Sequence, residues 1–207
     1  MIWDRINCFL KKAVSYAKEN RLLVFFLTVF CLGIVFGGFS IRYFEANETD
    51  LSNLFQQFVS LRTRAFTHIL FSSLFSCVFP VFLLYCFGLF VYGYVPCFLL
   101  LFVQGITHGV VCGYIYSTYG LKGVAFVLLV VLPPAFIGTI ILLVGSKVSF
   151  QFAVILSKTY FSDMVLVQPT IYFKRYHCKY LILLGFAMFA ALADSLLSRV
   201  FIHVFGF

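Results

Sequence analysis

The sequence predicts an all-α integral membrane protein, with about five transmembrane helices, a proline-broken fourth helix and interfacial amphipathic helices. Three observations carry this. The 207 residues are 63% hydrophobic and only 11% charged, where a water-soluble domain has roughly a quarter charged. The apolar runs are long and continuous, not the alternating segments of about ten residues that build a membrane barrel. One of those runs contains VVLPPAFIGT, Val130 to Thr139, with two adjacent helix breakers at Pro133 and Pro134.

Residues 1–21 place Ile2, Ile6, Phe9, Leu10, Ala13 and Ala17 at helical spacing, with Arg5, Lys11, Lys12 and Lys18 elsewhere. This predicts a basic amphipathic helix on the inner membrane surface. The first span covers 22–41. It is long enough to cross and is not followed by an A-x-A cleavage site, so it reads as an anchor rather than a signal peptide. Residues 42–68 form the first sizeable polar loop. Leu54, Phe55 and Phe58, with Leu51 and Leu61, mark one face of a short helix that Thr49 or Asp50 caps. That face suits either lipid or a partner.

From Ile69 to Ser117 the chain stays apolar for more than twice the ~20 residues a span needs. It divides into spans 69–92 and 97–117, with Gly93 and Pro96 supplying the turn. A short loop at 118–122 leads to span four at 123–145, with an apolar extension to Leu156. Residues 157–180 read as a basic, irregular loop and 181–202 as span five. The whole chain, 1–207, reads as a single multi-pass membrane domain. Of fifteen Lys and Arg, an N-inside, five-span arrangement places ten inside (in 1–21 and 146–180) and five outside. This favours a cytoplasmic N-terminus and an extracytoplasmic C-terminus. The net charge of +8 is thus explained by membrane orientation, without nucleic acid. Seven cysteines show no C-x-x-C spacing and read as small hydrophobes or reduced thiols.

Inside the membrane, Gly33 and Gly37 on span one, and Gly105, Gly109 and Gly113 on span three, recur every four residues. Such stripes let helix backbones approach closely. The partner is another helix of the same chain, a second copy in a homo-oligomer, or another protein. Gln104 and His108 flank the span-three stripe. Asp194 is the acidic residue deepest within a span, where a charge costs roughly 2.5–3.5 kcal/mol and demands a partner. At 1.5 Å per residue it lies about 21 Å above Tyr180, and His108 about 18 Å above Pro96, so the two can meet at one depth. Arg199 is the alternative partner.

Pro133 and Pro134 each lack an N–H, so the fourth helix is expected to bend there by more than about 20°. Val124 to Leu156 would make a straight helix about 50 Å long, against a hydrocarbon core of about 30 Å. A second change of direction is expected near Gly145–Ser149, sending Phe150–Leu156 along the inner interface.

GLFVYGYVPCFLLLFVQGITHGVVCGYIYSTYGLKGVAFVLLVVLPP resembles the core of the stage II sporulation protein M family. The matching features are Gly33 to Gly38, Gly93 with Pro96, the Gly105–Gly109–Gly113 ladder, Gly120-Leu121-Lys122-Gly123, Pro133 and Asp194 after AALA. Two departures stand out. Pro134, Ala135 and Phe136 follow Pro133 where many relatives have polar residues, and Arg199 stands where a proline often follows the acidic residue. The resemblance implies a non-enzymatic membrane scaffold that anchors and localises peptidoglycan-degrading engulfment proteins, stage II sporulation proteins D and P, during endospore formation. No nucleophile–base pair, metal-ligand set or cofactor motif is visible, so no catalytic, metal or cofactor-binding residue is assigned. The alternative is a transporter or permease subunit with a path near the broken fourth helix, lined by His108 and Asp194.

Overall fold

A computed structural model describes residues 20–44, 66–161 and 169–205. The described residues form five long helices and no strand: α1 (Arg21–Phe44), α2 (Phe66–Gly88), α3 (Tyr94–Phe126), α4 (Leu132–Phe161) and α5 (Pro169–Phe205). A π-helical segment, Val127–Val131, joins α3 to α4. All five helices are long and apolar enough to cross a membrane. The segments 1–19 and 45–65 lie outside the described residues, and with them the inner amphipathic helix and the Leu54, Phe55 and Phe58 face.

α1 packs chiefly on α3, while α2, α4 and α5 pack on one another. The core lies where these two groups meet, at Phe26, Leu84, Leu101, Leu142 and Phe152. α5 turns a stripe of small residues inward: Ala187, Ala190, Ala191, Ser195 and Ser198 are all fully buried. Side chains this small bring backbones close where lipid supplies no hydrophobic driving force. The large apolar side chains face outward instead, as in Phe71, Phe75, Phe186 and Phe189, which in this setting means toward lipid.

The α2–α3 turn falls where Gly93 and Pro96 place it. Gly93 donates its N–H to the Phe90 carbonyl at 3.0 Å, and Pro96 sits in the first turn of α3, where its missing N–H is harmless. The next reversal is at Gly120, at φ 55° and ψ −132°, a conformation open to glycine and strained for other residues. There the expected loop at 118–122 is reduced to a single non-helical residue. Gly123 returns against the Ile115 carbonyl, with no room for a Cβ.

Two expectations need correction. Most of 157–180 is helical rather than an irregular loop: α4 continues to Phe161 and α5 begins at Pro169, with 162–168 outside the described residues. Basic residues mislead here because their long stems let them ride the outside of a helix. Lys174, Arg175 and Lys179 are exposed, whereas Tyr176, Tyr180 and Leu183, at helical spacing between them, are buried. The helices are apolar enough to cross over Thr170–Val200 and Leu132–Phe161, so both extend past the expected bounds 181–202 and 123–145 at the ends where the basic residues lie. The second correction concerns direction. α4 passes unbroken through Gly145–Ser149, so Phe150–Leu156 continue the helix. The interruption of the fourth helix is the π segment at Val127–Val131, immediately before the prolines. Pro133 and Pro134 follow that segment directly, inside a helical path that runs unbroken over 121–161, so their missing N–H groups leave carbonyls of the π turn without an intrahelical donor.

Candidate functional site

The glycine stripes meet each other within one chain. A Cβ built on Gly33 would stand 2.5 Å from the Phe102 carbonyl oxygen and 3.1 Å from the Gly105 Cα. Those on Gly37, Gly105 and Gly109 would strike the carbonyls of Ile106, Phe30 and Ile34. Gly113 is capped by the Ile41 side chain, with the Gly38 Cα 3.6 Å from its Cβ position. Every close neighbour of the first four is backbone, so the two helices touch main chain to main chain along α1 and α3. This surface is occupied inside the molecule.

A cavity of about 160 Å³ lies between α2, α3, α4 and α5, large enough to hold water. Gln104 and His108 reach it from α3, Asp194 from α5, and Pro134 and Gly138 from α4. The depth match of His108 and Asp194 thus brings both to one chamber, beside Pro134 of α4. Asp194 accepts a 2.7 Å hydrogen bond from Ser73 Oγ on α2. His108 Nδ1 lies 2.8 Å from the Gln104 carbonyl oxygen. A carbonyl only accepts, so Nδ1 carries a proton and donates it to that bond. Phe30 of α1 meets the His108 ring edge-on, at 5.8 Å between centroids. Arg199 lies on the exposed side of α5. Pro80 of α2 also lines the chamber. It lies inside its helix, so its missing N–H frees the Ser76 carbonyl four residues earlier, and Ser76 lines the same chamber. Polar groups gather where two prolines meet, because a freed carbonyl in lipid needs a polar neighbour.

A second polar cluster joins α2, α4 and α5. Ser149 Oγ donates to the Leu84 carbonyl at 2.6 Å and also meets the Tyr180 hydroxyl. Tyr180 donates to the Gly145 carbonyl at 2.9 Å, and Tyr176 to the Tyr85 carbonyl at 2.7 Å. Tyr85 and Tyr176 stack at 5.5 Å, and Tyr176 stacks on Phe152 at 4.3 Å. The Tyr85 hydroxyl lies 2.9 Å from His177 Nε2, and His177 Nδ1 donates to the Phe173 carbonyl at 2.9 Å. Reading the sequence misses this cluster because 157–180 is taken for a loop. The signal is Tyr176 and Tyr180 four residues apart, opposite Gly145 and Ser149. Ser73, the partner of Asp194, is equally hidden, since an isolated serine in an apolar run has no distinguishing spacing.

Among the described residues, no group of three His, Cys, Asp or Glu side chains converges as a metal site would require. The six described cysteines are free thiols.

The family model described as Stage II sporulation protein M matches residues 26–198, from the first turns of α1 to the last turns of α5. No curated protein and no solved structure gives a significant match.

Proposed function

The chain belongs to the stage II sporulation protein M family, and we propose that it is a non-enzymatic membrane scaffold of endospore formation. In this reading it anchors peptidoglycan-degrading proteins of the stage II sporulation D and P type at the engulfing membrane. The supporting observation is that the family match spans all five helices, so the likeness lies in the membrane bundle itself. A bundle joined main chain to main chain, with its glycine stripes used internally, is suited to hold partners in place.

The proposed topology is N-in, C-out, supported by ten basic residues on the inner side against five outside. It puts 42–68 outside, where Leu54, Phe55 and Phe58 form the proposed contact face for wall hydrolases. Co-purification of those hydrolases with the chain tests the reading. Leu54→Asp with Phe58→Asp should reduce their recovery while the protein stays folded. Unchanged recovery would remove this face from the scaffold.

One observation favours a second reading, a transporter or permease subunit: the chamber that unites Gln104, His108 and Asp194 beside the start of α4. Proteoliposome flux of protons and alkali cations separates the two. A flux abolished by Asp194→Asn supports transport, and none above empty vesicles supports the scaffold.

A further inference from the structure

A groove of about 700 Å³ runs between the outer faces of α4 and α5, within the ~300–1,000 Å³ range of ligand sites. Its two walls change character together. Phe136, Ile140 and Val144 on α4 face Ile182 and Phe186 on α5 along the apolar part. At one end, Lys147 and Gln151 on α4 meet Lys179 on α5. The helices run antiparallel there, since Tyr180 bonds the Gly145 carbonyl while Tyr176 meets Ser149, so both lysines stand at the same depth. From Phe136 to Lys147 the apolar wall rises about 16 Å, which is half of a hydrocarbon core of about 30 Å. The groove therefore matches one leaflet: apolar through the acyl region and cationic where headgroups begin. The level agrees with Asn20 and Arg21, which open the first span on that side.

We propose that this groove holds an anionic glycerophospholipid, with one acyl chain between α4 and α5 and its phosphate on Lys147 and Lys179. Lys147 donates to Asn20 Oδ1 at 2.5 Å. That bond to a neutral amide steers the ammonium without cancelling its charge, and it leaves two N–H donors for phosphate oxygens. Basic pockets between membrane helices at the headgroup level select acidic lipids by this means. Gln151, one turn from Lys147, offers an amide donor to the same headgroup.

The test uses the full chain in nanodiscs or mild detergent. Retention of phosphatidylglycerol and of phosphatidylcholine with identical acyl chains is compared by native mass spectrometry. The parent should retain phosphatidylglycerol preferentially. At about fivefold per lysine, Lys147→Gln with Lys179→Gln should weaken that retention roughly 25-fold, whereas Lys158→Gln, outside the groove, should not. Val144→Trp, which fills the apolar part from a partly exposed position, should reduce retention of both lipids. Equal retention of the two lipids by the parent, or unchanged phosphatidylglycerol retention by the double glutamine variant, overturns the proposal. So does Val144→Trp shifting the oligomeric mass instead of lipid occupancy, which would assign the groove to a second copy of the chain.

Discussion

Substituting Gly109 by alanine is a sharp test of the α1–α3 seam. Its Cβ would stand 3.0 Å from the Gly38 nitrogen and closer still to the Ile34 carbonyl oxygen, against an optimum of about 3.5–4.0 Å. Both obstacles are backbone, so no rotamer change relieves them. The helices must separate by about 1 Å, and a gap of that size forfeits a quarter to a half of the dispersion energy at each facing contact. Overpacking of this kind costs about 1–3 kcal/mol, partly offset by up to about 1 kcal/mol of better helix propensity. Gly38→Ala is the matched control: it lies on the same helix pair, yet a Cβ there meets nothing within 4 Å. It should gain the propensity and lose nothing. The two variants should thus differ by about 2 kcal/mol, or about 4–8 °C in Tm for a chain of this size, when unfolding is followed by circular dichroism in the same detergent. Equal melting of the two would mean that α1 and α3 do not meet at this seam.

Tyr180→Phe removes the bond to the Gly145 carbonyl and the contact with Ser149 while keeping the ring. Thermal melts should show a loss of about 1–3 kcal/mol, and a neutral result would mean the hydroxyl cluster does not tie α4 to α5. Gly120→Ala should cost about 1–3 kcal/mol through its left-handed φ alone, since its Cβ would meet nothing. Gly138→Ala, equally free of contacts but without a positive φ, should be neutral or stabilising in the same melts. Pro133→Ala restores an N–H donor within the helical path and should be neutral or stabilising in the same melts. A loss above about 1 kcal/mol would mean that the packing around the chamber depends on the π turn.

The membrane class and the helix count were legible because hydropathy integrates over some 20 residues and tolerates local error. The glycine seam was legible in part. Spacing identified Gly33, Gly37, Gly105, Gly109 and Gly113 as close-approach positions, but a stripe does not name what approaches it. The depths of His108 and Asp194 agreed by counting residues, since rise per residue is nearly constant in a helix. Ser73 could not be found that way, because its role depends on the rotation of α2 against α5. The ends of α4 and α5 were misplaced for a physical reason: lysine and arginine lower hydropathy without breaking a helix. Pro133 and Pro134 pointed to the right neighbourhood, and the π segment before them shows the form the disturbance takes.

The scaffold and transport readings part most directly in a living cell. In an endospore-forming bacterium deleted for its own family member, engulfment is scored by membrane-dye microscopy after expression of the parent chain, Gly109→Leu, or His108→Ala with Asp194→Asn. Asparagine at 194 still accepts the hydrogen bond from Ser73, so the bundle keeps that tie while the chamber loses its carboxyl group and its imidazole. For a scaffold, the parent and the chamber variant complete engulfment and Gly109→Leu does not. Arrest of the chamber variant at parental membrane abundance would contradict the scaffold and place the function in the chamber.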